Sequence, residues 1–278
     1  MQRTKTESGS KKSKSSSPAK TLNMKKQFTD LFQSLTRRHN AYQVWSDFVT
    51  MSACAIANSC DKEFYEQREA MYMECVKRYS KEEVNSFTEL FALTVMALEE
   101  NPQQDFLGTL YGELRLTDGQ KGQFFTPYHI GHFMAEVNTG SLAQEVEKQG
   151  VLYVSDPCCG AGCLLIAFAN AAKEDGVNYQ EKIVFTAQDI DPVAGLMCYI
   201  QLSLLGCMAY VKIGNSLTDP LTTNVAPAEN IWVTPMFRIR EILRWQAALD
   251  HHHKSQFYVY NAMKGEAKWQ KQKISPAS

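Results

Sequence analysis

The sequence predicts an α/β fold with a parallel sheet, preceded by an α-helical N-terminal module. Three observations carry this: a three- and four-residue apolar periodicity from Met24 to about Glu100, an alternation of strand-like and helix-like runs after Gly150, and a glycine-bearing turn at 155–163 that joins one such strand to one such helix. With 44% hydrophobic and 21% charged residues, the chain can bury a sizeable core.

Residues 1–22 hold almost no large apolar side chains and cannot offset the entropy of ordering, so a disordered basic tail is expected there. The helical module follows over residues 23–120. Phe28, Leu31, Phe32 and Leu35 recur at helical spacing, and Tyr42, Trp45, Phe48 and Val49 continue the stripe. The runs Phe64 to Tyr79 and Glu82 to Leu98 contain no Gly or Pro, and Ser80 with Glu83 forms a capping box ahead of the second. These aromatic stripes read as core. Asn101-Pro102 closes the last of these helices, and Gly108, Gly112, Gly119 and Gly122 then break regularity.

A second domain is expected over residues 121–250. Gln123-Phe124-Phe125-Thr126-Pro127 leads into a helix from about Tyr128 to Lys148. Val151 to Ser155 reads as a buried strand, Gly162 to Lys173 as a helix, Ile183 to Ala187 as a strand, Pro192 to Leu205 as a helix and Ala209 to Ile213 as a strand. Ile239, Ile242, Leu243, Trp245 and Gln246 mark an amphipathic helix, and residues 251–278 read as a polar, basic C-terminal tail.

The formal net charge of −1 hides a cancellation. Residues 1–26 hold eight Lys or Arg and one Glu, residues 244–278 hold six and two acids, and the body between them carries −12. Basic ends can touch phosphate, but so acidic a body argues against an autonomous high-affinity DNA binder. No apolar run approaches the roughly 18–20 residues that cross a bilayer, and the N-terminus lacks the apolar core of a secretion signal. The eight cysteines lack the paired spacing of a zinc ribbon. Reduced thiols in a cytoplasm are expected. Adjacent His251, His252 and His253 point in different directions on a regular element, so no specific metal site is expected.

The chemistry is concentrated in Ser155-Asp156-Pro157-Cys158-Cys159-Gly160-Ala161-Gly162-Cys163, which leaves a strand and opens a helix. Gly160 and Gly162 remove side chains where a backbone must approach a ligand, and the helix N-terminus presents unpaired amides. The next strand ends in Gln188-Asp189-Ile190-Asp191-Pro192, with Asp189 standing 29 residues beyond Gly160. An acid at that strand end is placed to accept hydrogen bonds from ribose hydroxyls. Asp191 before Pro192 suits a helix N-cap, which leaves Asp189 as the ligand contact. A nicotinamide site would show G-x-G-x-x-G, whereas the third position after Gly162 is Leu165.

Phe124-Phe125-Thr126-Pro127, Asp156 to Gly162, Gln188 to Pro192 and Gly214-Asn215-Ser216-Leu217 occur in the order and spacing of the adenine-N6 DNA methyltransferases. The chain most resembles the modification subunit of type I restriction systems, over roughly residues 20–220. The resemblance implies a Rossmann-like class I S-adenosylmethionine-dependent methyltransferase core, a bacterial or phage origin, S-adenosyl-L-methionine as cofactor and DNA as partner. Thr126, next to Phe125, would contact the methionine end of the cofactor. Asp156, Cys158, Gly160 and Gly162 would form the loop beneath it. Asp189, where the family usually has Glu, would hold the ribose hydroxyls, with Ile190 beside it. Asn215, where the family usually has Asp, would lie beside the adenine ring.

Two departures stand out. The family's Asn-Pro-Pro-Phe/Tyr tetrapeptide, which holds the amino group of a flipped adenine and stacks on the base, is absent. Its place reads Glu229-Asn230-Ile231-Trp232-Val233-Thr234-Pro235-Met236-Phe237, so Thr234, Pro235 and Phe237 become the candidate catalytic residues. Only 41 residues follow Phe237, too few for the remaining strands and a target-recognition region, so the core is expected to be shortened. Base reading would then fall to a separate specificity subunit, and the sheet would be closed by a partner or a second copy. The expected function is DNA adenine methylation; the alternative is a cofactor-binding or regulatory protein that has lost methyl transfer.

Overall fold

The computed structural model describes residues 18–116, 125–140, 142–221 and 227–243. The expected tail over 1–17, Phe124, Trp245 and Gln246, the His251 to His253 triplet and the whole 251–278 segment lie outside the described residues.

Helix α1 (Pro18–Thr36) begins inside the stretch expected to be a tail, because Pro18 occupies the first helical position, where its fixed φ and missing N–H cost nothing. Helices α2 (Ala41–Cys60), α3 (Tyr65–Val76) and α4 (Lys81–Glu100) complete the first layer. Asn40 caps α2, and Ser80 and Glu83 form the reciprocal capping box of α4. The glycine-interrupted stretch holds one further helix, α5 (Phe106–Glu113), capped by Asp105. Its glycines obscured it in the sequence. Phe28, Trp45, Phe48 and Phe106 meet edge-on or tilted at 5.4–5.9 Å between ring centroids, so the aromatic stripes form the core of this module.

The helix expected over Tyr128 to Lys148 is two, α6 (Tyr128–Thr139) and α7 (Leu142–Gln149), broken at Gly140. Then come β1 (Leu152–Asp156), α8 (Cys163–Glu174), the short α9 (Tyr179–Lys182), β2 (Ile183–Asp189), α10 (Pro192–Leu204), β3 (Met208–Ile213) and β4 (Ile231–Val233), with helix α11 over 235–243. Asp191 Oδ1 accepts from the amides of Val193 and Ala194, the N-cap expected of it.

The sheet runs β1-β2-β3-β4. β1, β2 and β3 are parallel, with Leu152 opposite Ile183 and Val184 opposite Met208. β4 is antiparallel, with Lys212 opposite Ile231 and Tyr210 opposite Val233. Among the described residues between β3 and β4, 214–221 and 227–230, there is no helix of the kind a parallel return requires.

α10 is apolar nearly all round and buried, lying between β2 and β3 on one side and α2 on the other. One continuous hydrophobic core therefore runs from Phe28 through Leu107 and Tyr199 to Trp232. A buried ionic clasp crosses the same seam. Asp61 Oδ2 accepts from Arg68 Nη1 at 2.9 Å and from Arg238 Nη2 at 3.2 Å, and Arg68 lies over the Trp232 ring. Burial would raise the Asp61 pKa, but the two guanidiniums outweigh it and hold the carboxyl below its usual range.

Candidate functional site

The site lies at the carboxyl ends of β1 and β2, where an open α/β sheet presents its ligands. Leaving β1, Asp156 Oδ1 accepts the amide of Cys158 at 3.1 Å, which turns the chain back over the strand end. The Cys159 amide donates to the carbonyl of Gln188 on β2 at 2.9 Å. Gly160 has φ +54° and Gly162 has φ +94°, both left-handed. A β-carbon on Gly162 would stand 2.9 Å from Cys198 Sγ on α10, so only glycine lets the loop sit this close before α8 begins. On Gly160 it would meet the Phe125 ring at 3.3 Å.

Asp189 organises the loop. Its Oδ2 accepts the Gly160 amide at 2.8 Å and its Oδ1 the Asp191 amide at 2.9 Å, while its carbonyl accepts the Gly214 amide at 2.8 Å. Gln188 binds the turn after β3, through Nε2 to Asp219 O at 2.9 Å and Oε1 to Leu221 N at 2.8 Å. Three strand ends are thereby tied into one rigid rim.

Beneath the rim is a cavity of about 260 Å³, lined by Phe125, Thr126, Asp156, Cys158, Gly160 and Asp189 among others. That is just under the roughly 300 Å³ at which small-molecule sites begin. Burial pushes the Asp156 carboxyl above its usual range against the Cys158 amide that binds it, and neighbouring Asp189 adds to the shift. Two acids in so small a space favour a ligand that carries positive charge.

Six of the expected residues thus converge: Phe125, Thr126, Asp156, Cys158, Gly160 and Asp189. Gly162 supports the loop as the left-handed cap of α8, and Ile190, which follows Asp189, is 66% exposed and does not line the cavity. Asn215 does not reach the cavity; its Oδ1 closes its own turn by accepting the Leu217 amide at 2.9 Å. Ser216 of that turn stands nearest, with Oγ 4.0 Å from Cys158 Sγ.

Thr234, Pro235 and Phe237 lie elsewhere. Because β4 is antiparallel, its end meets the start of β3, at the pole of the sheet opposite the cavity. Thr234 is fully buried, donates through Oγ1 to Cys207 O at 2.6 Å and accepts there from Ala209 N at 2.9 Å. Phe237 stacks on Tyr210 at 4.3 Å between centroids. These contacts hold the sheet together and leave no group free for a substrate. Thr234→Asn, which enlarges a fully packed side chain, is expected to lower stability by about 1–3 kcal/mol without creating methyl transfer; denaturant unfolding and a methylation assay check both halves.

Asp105 and Gln201 are not among the residues singled out from the sequence. Asp105 Oδ1, capping α5, accepts from Gln201 Nε2 at 2.8 Å, and the same Nε2 donates to the Ala161 carbonyl in the glycine loop at 2.8 Å. Burial raises the Asp105 pKa against the hydrogen bonds from Gln201 and Gly108. The one available signal was a lone amide inside the otherwise apolar run Pro192 to Leu202. Away from the cavity, His132 lies between Glu136 (3.6 Å from Nδ1) and Glu174 (3.7 Å from Nε2), and the three side chains each bring a potential ligand atom within 4.8 Å of the others. All eight cysteines are free thiols, and among the described helices none is long and apolar enough to cross a membrane.

Fold and site together define the class, a Rossmann-like protein with a cavity over a glycine turn at the ends of its first two strands. The chain belongs to the N-6 DNA methylase family, whose model matches residues 103–274. With that membership go the class I methyltransferase fold and S-adenosylmethionine as cofactor. No curated protein sequence matches the chain. Among solved structures, one that is similar is a crystal structure from Listeria monocytogenes described as a class I S-adenosylmethionine-dependent methyltransferase, at 15% identity and a TM-score of 0.39. The match covers 76% of this chain and 57% of that one, so the chain spans under two thirds of that protein's length.

The residues present fit the cofactor. It carries a sulfonium and an ammonium, which suit the paired acids Asp156 and Asp189, and the side-chain-free backbone at Gly160 leaves room that a β-carbon would take.

Proposed function

We propose that the chain is an S-adenosylmethionine-dependent DNA methyltransferase acting on adenine N6. The observation that carries this is the convergence of Phe125, Thr126, Asp156, Cys158, Gly160 and Asp189 on one cavity in a chain of the N-6 DNA methylase family. The cofactor, when bound, supplies an electrophilic methyl group. Asp189 would accept the ribose hydroxyls through lone pairs that its two backbone bonds leave free, and Ile190 would cover the adenine. Asp156 would face the ammonium, and Thr126 and Phe125 would close over the methionine end. Transfer to a nucleophilic amine needs positioning and exclusion of water more than proton transfer, and a rim tied by Asp189 and Gln188 is suited to that. DNA as substrate goes with a cytoplasmic setting in a bacterial or phage system, and target recognition falls to a specificity subunit of a restriction-modification complex.

A second reading, a cofactor-binding protein that does not transfer methyl groups, is favoured by one observation: Thr234, Pro235 and Phe237 stand at the far pole of the sheet. Titration calorimetry with S-adenosylmethionine, followed by transfer of labelled methyl groups to unmethylated DNA, separates the two. Absence of cofactor binding removes both. Binding without transfer, with the basic ends present, leaves the second.

Two expected results belong to this site. Asp189→Ala should weaken cofactor binding by about 1–3 kcal/mol, since it removes a charged acceptor and frees the Gly160 amide; an unchanged dissociation constant would assign Asp189 to loop architecture alone. Affinity should also rise with pH through the elevated Asp156 pKa, because only the ionised carboxyl attracts the cofactor's positive groups; a flat profile across the acidic range contradicts this.

A further inference from the structure

The backbone of the glycine turn is held residue by residue. Asp156 takes the Cys158 amide, the Gln188 carbonyl takes the Cys159 amide and Asp189 takes the Gly160 amide. These three bonds come from the ends of β1 and β2. The fourth comes from the other side of the turn. Ala161 lines the cavity, and its carbonyl accepts from Gln201 Nε2 on α10 at 2.8 Å; among the described residues no other side chain donates to it.

The peptide group that joins Ala161 to Gly162 is the one in the turn most able to swing round. Such a flip changes ψ of Ala161 and φ of Gly162, and glycine accepts either sign of φ at little cost. The N–H of this group closes on the Cys159 carbonyl within the turn itself, at 2.8 Å. Its carbonyl, held by Gln201, is therefore what ties the group to the surrounding fold.

Gln201 is suited to that task by its chemistry. It is completely buried, its Oε1 accepts the Leu107 amide at 3.1 Å, and its Nε2 donates to Asp105 Oδ1 as well as to Ala161. The amide thus uses its oxygen and both nitrogen hydrogens, in an orientation that is fixed. Turned over, the oxygen would face two acceptors and the nitrogen a donor. An ionised Glu has no hydrogen to give, and Met neither donates nor accepts as an amide does.

We propose that Gln201 is a positioning residue for the cofactor: it holds the Ala161 carbonyl of the glycine turn in the orientation that shapes the cavity wall. The inference rests on the reading of this cavity as the S-adenosylmethionine site. Gln201 itself does not line the cavity and acts through the turn.

Calorimetric titration of the full chain with S-adenosylmethionine, with urea unfolding of the same samples, tests this on Gln201→Met and Leu202→Ala. Leu202 is the next residue of α10 and is equally buried, so its truncation weakens the helix without touching the turn. Gln201→Met is expected to bind at least about tenfold more weakly than wild type, and Leu202→Ala within about threefold of it, although both unfold at lower urea. If Gln201→Met does not fold, Gln201→Glu, which keeps the acceptor for the Leu107 amide, takes its place with the same expectation. A wild-type dissociation constant in the Gln201 variant overturns the proposal. So does a loss of affinity that follows the loss of stability alike at 201 and 202, which would make Gln201 a packing residue only. Wild-type protein that binds no cofactor refutes the reading of the cavity itself, whereas binding that survives at full strength without Gln201 refutes only the role of that residue.

Discussion

Replacing Asp61 by Ala is expected to lower stability by about 3–5 kcal/mol, because it leaves the fully buried Arg68 and the half-buried Arg238 without their shared counter-charge. Burying an unpaired guanidinium is the costly part, so the order of effects is informative. Arg68→Met should cost less, since Asp61 keeps Arg238 and the new side chain still packs on Trp232. Urea unfolding of the two variants checks both magnitude and order; equal effects would mean that the clasp acts through packing rather than charge. The same group sets an acid limit. Its folded pKa is lowered, so its contribution is complete above the ordinary carboxylate range and is lost as pH falls through the lowered value. Asp61→Ala should therefore flatten the acid side of the stability profile as well as lower it.

The second large effect is expected at Gly160. Gly160→Val places a β-branched side chain at φ +54°, where L-residues lose roughly 1–2 kcal/mol, and drives its first carbon to 3.3 Å from the Phe125 ring. Phe125, which lines the cavity, must then shift. Cofactor affinity should fall by at least about tenfold, and by more if the Asp189 bond to the residue 160 amide is also lost. Gly112→Ala is the control, since a methyl group there meets nothing within 4 Å. Calorimetry that returns one dissociation constant for wild type, G160V and G112A would remove the glycine turn from the site.

Local signals in the sequence were read correctly where one residue acts on its own neighbours. The Ser80 and Glu83 capping box, the Asp191 cap before Pro192 and the glycine turn after β1 are all short-range devices, and all are present. The direction of β4 was not legible, because strand sense depends on how the chain returns, and Ile231 to Val233 reads the same either way. The catalytic assignment of Thr234 fell with it: position along the sequence matched a motif, while reversal of the strand carried the residue to the opposite pole. Asn215 stands outside the cavity lining for a local reason, since a side-chain amide two residues before a free backbone N–H closes a turn. The contact from Gln201 to Ala161 spans 40 residues of sequence, and no local pattern encodes such a partner.

The shared core has a thermodynamic consequence. With α10 buried between the sheet and α2, and Gln201 joining the α5 cap to the glycine turn, the N-terminal helices and the sheet have no boundary at which one can melt and leave the other intact. A ligand in the cavity should accordingly protect α1 and α4, which never touch it, from proteolysis to the same degree as β1 and β2. Saturation at a hundredfold excess over the dissociation constant is worth about 2.7 kcal/mol, and that increment should appear in a single melting transition of the whole chain.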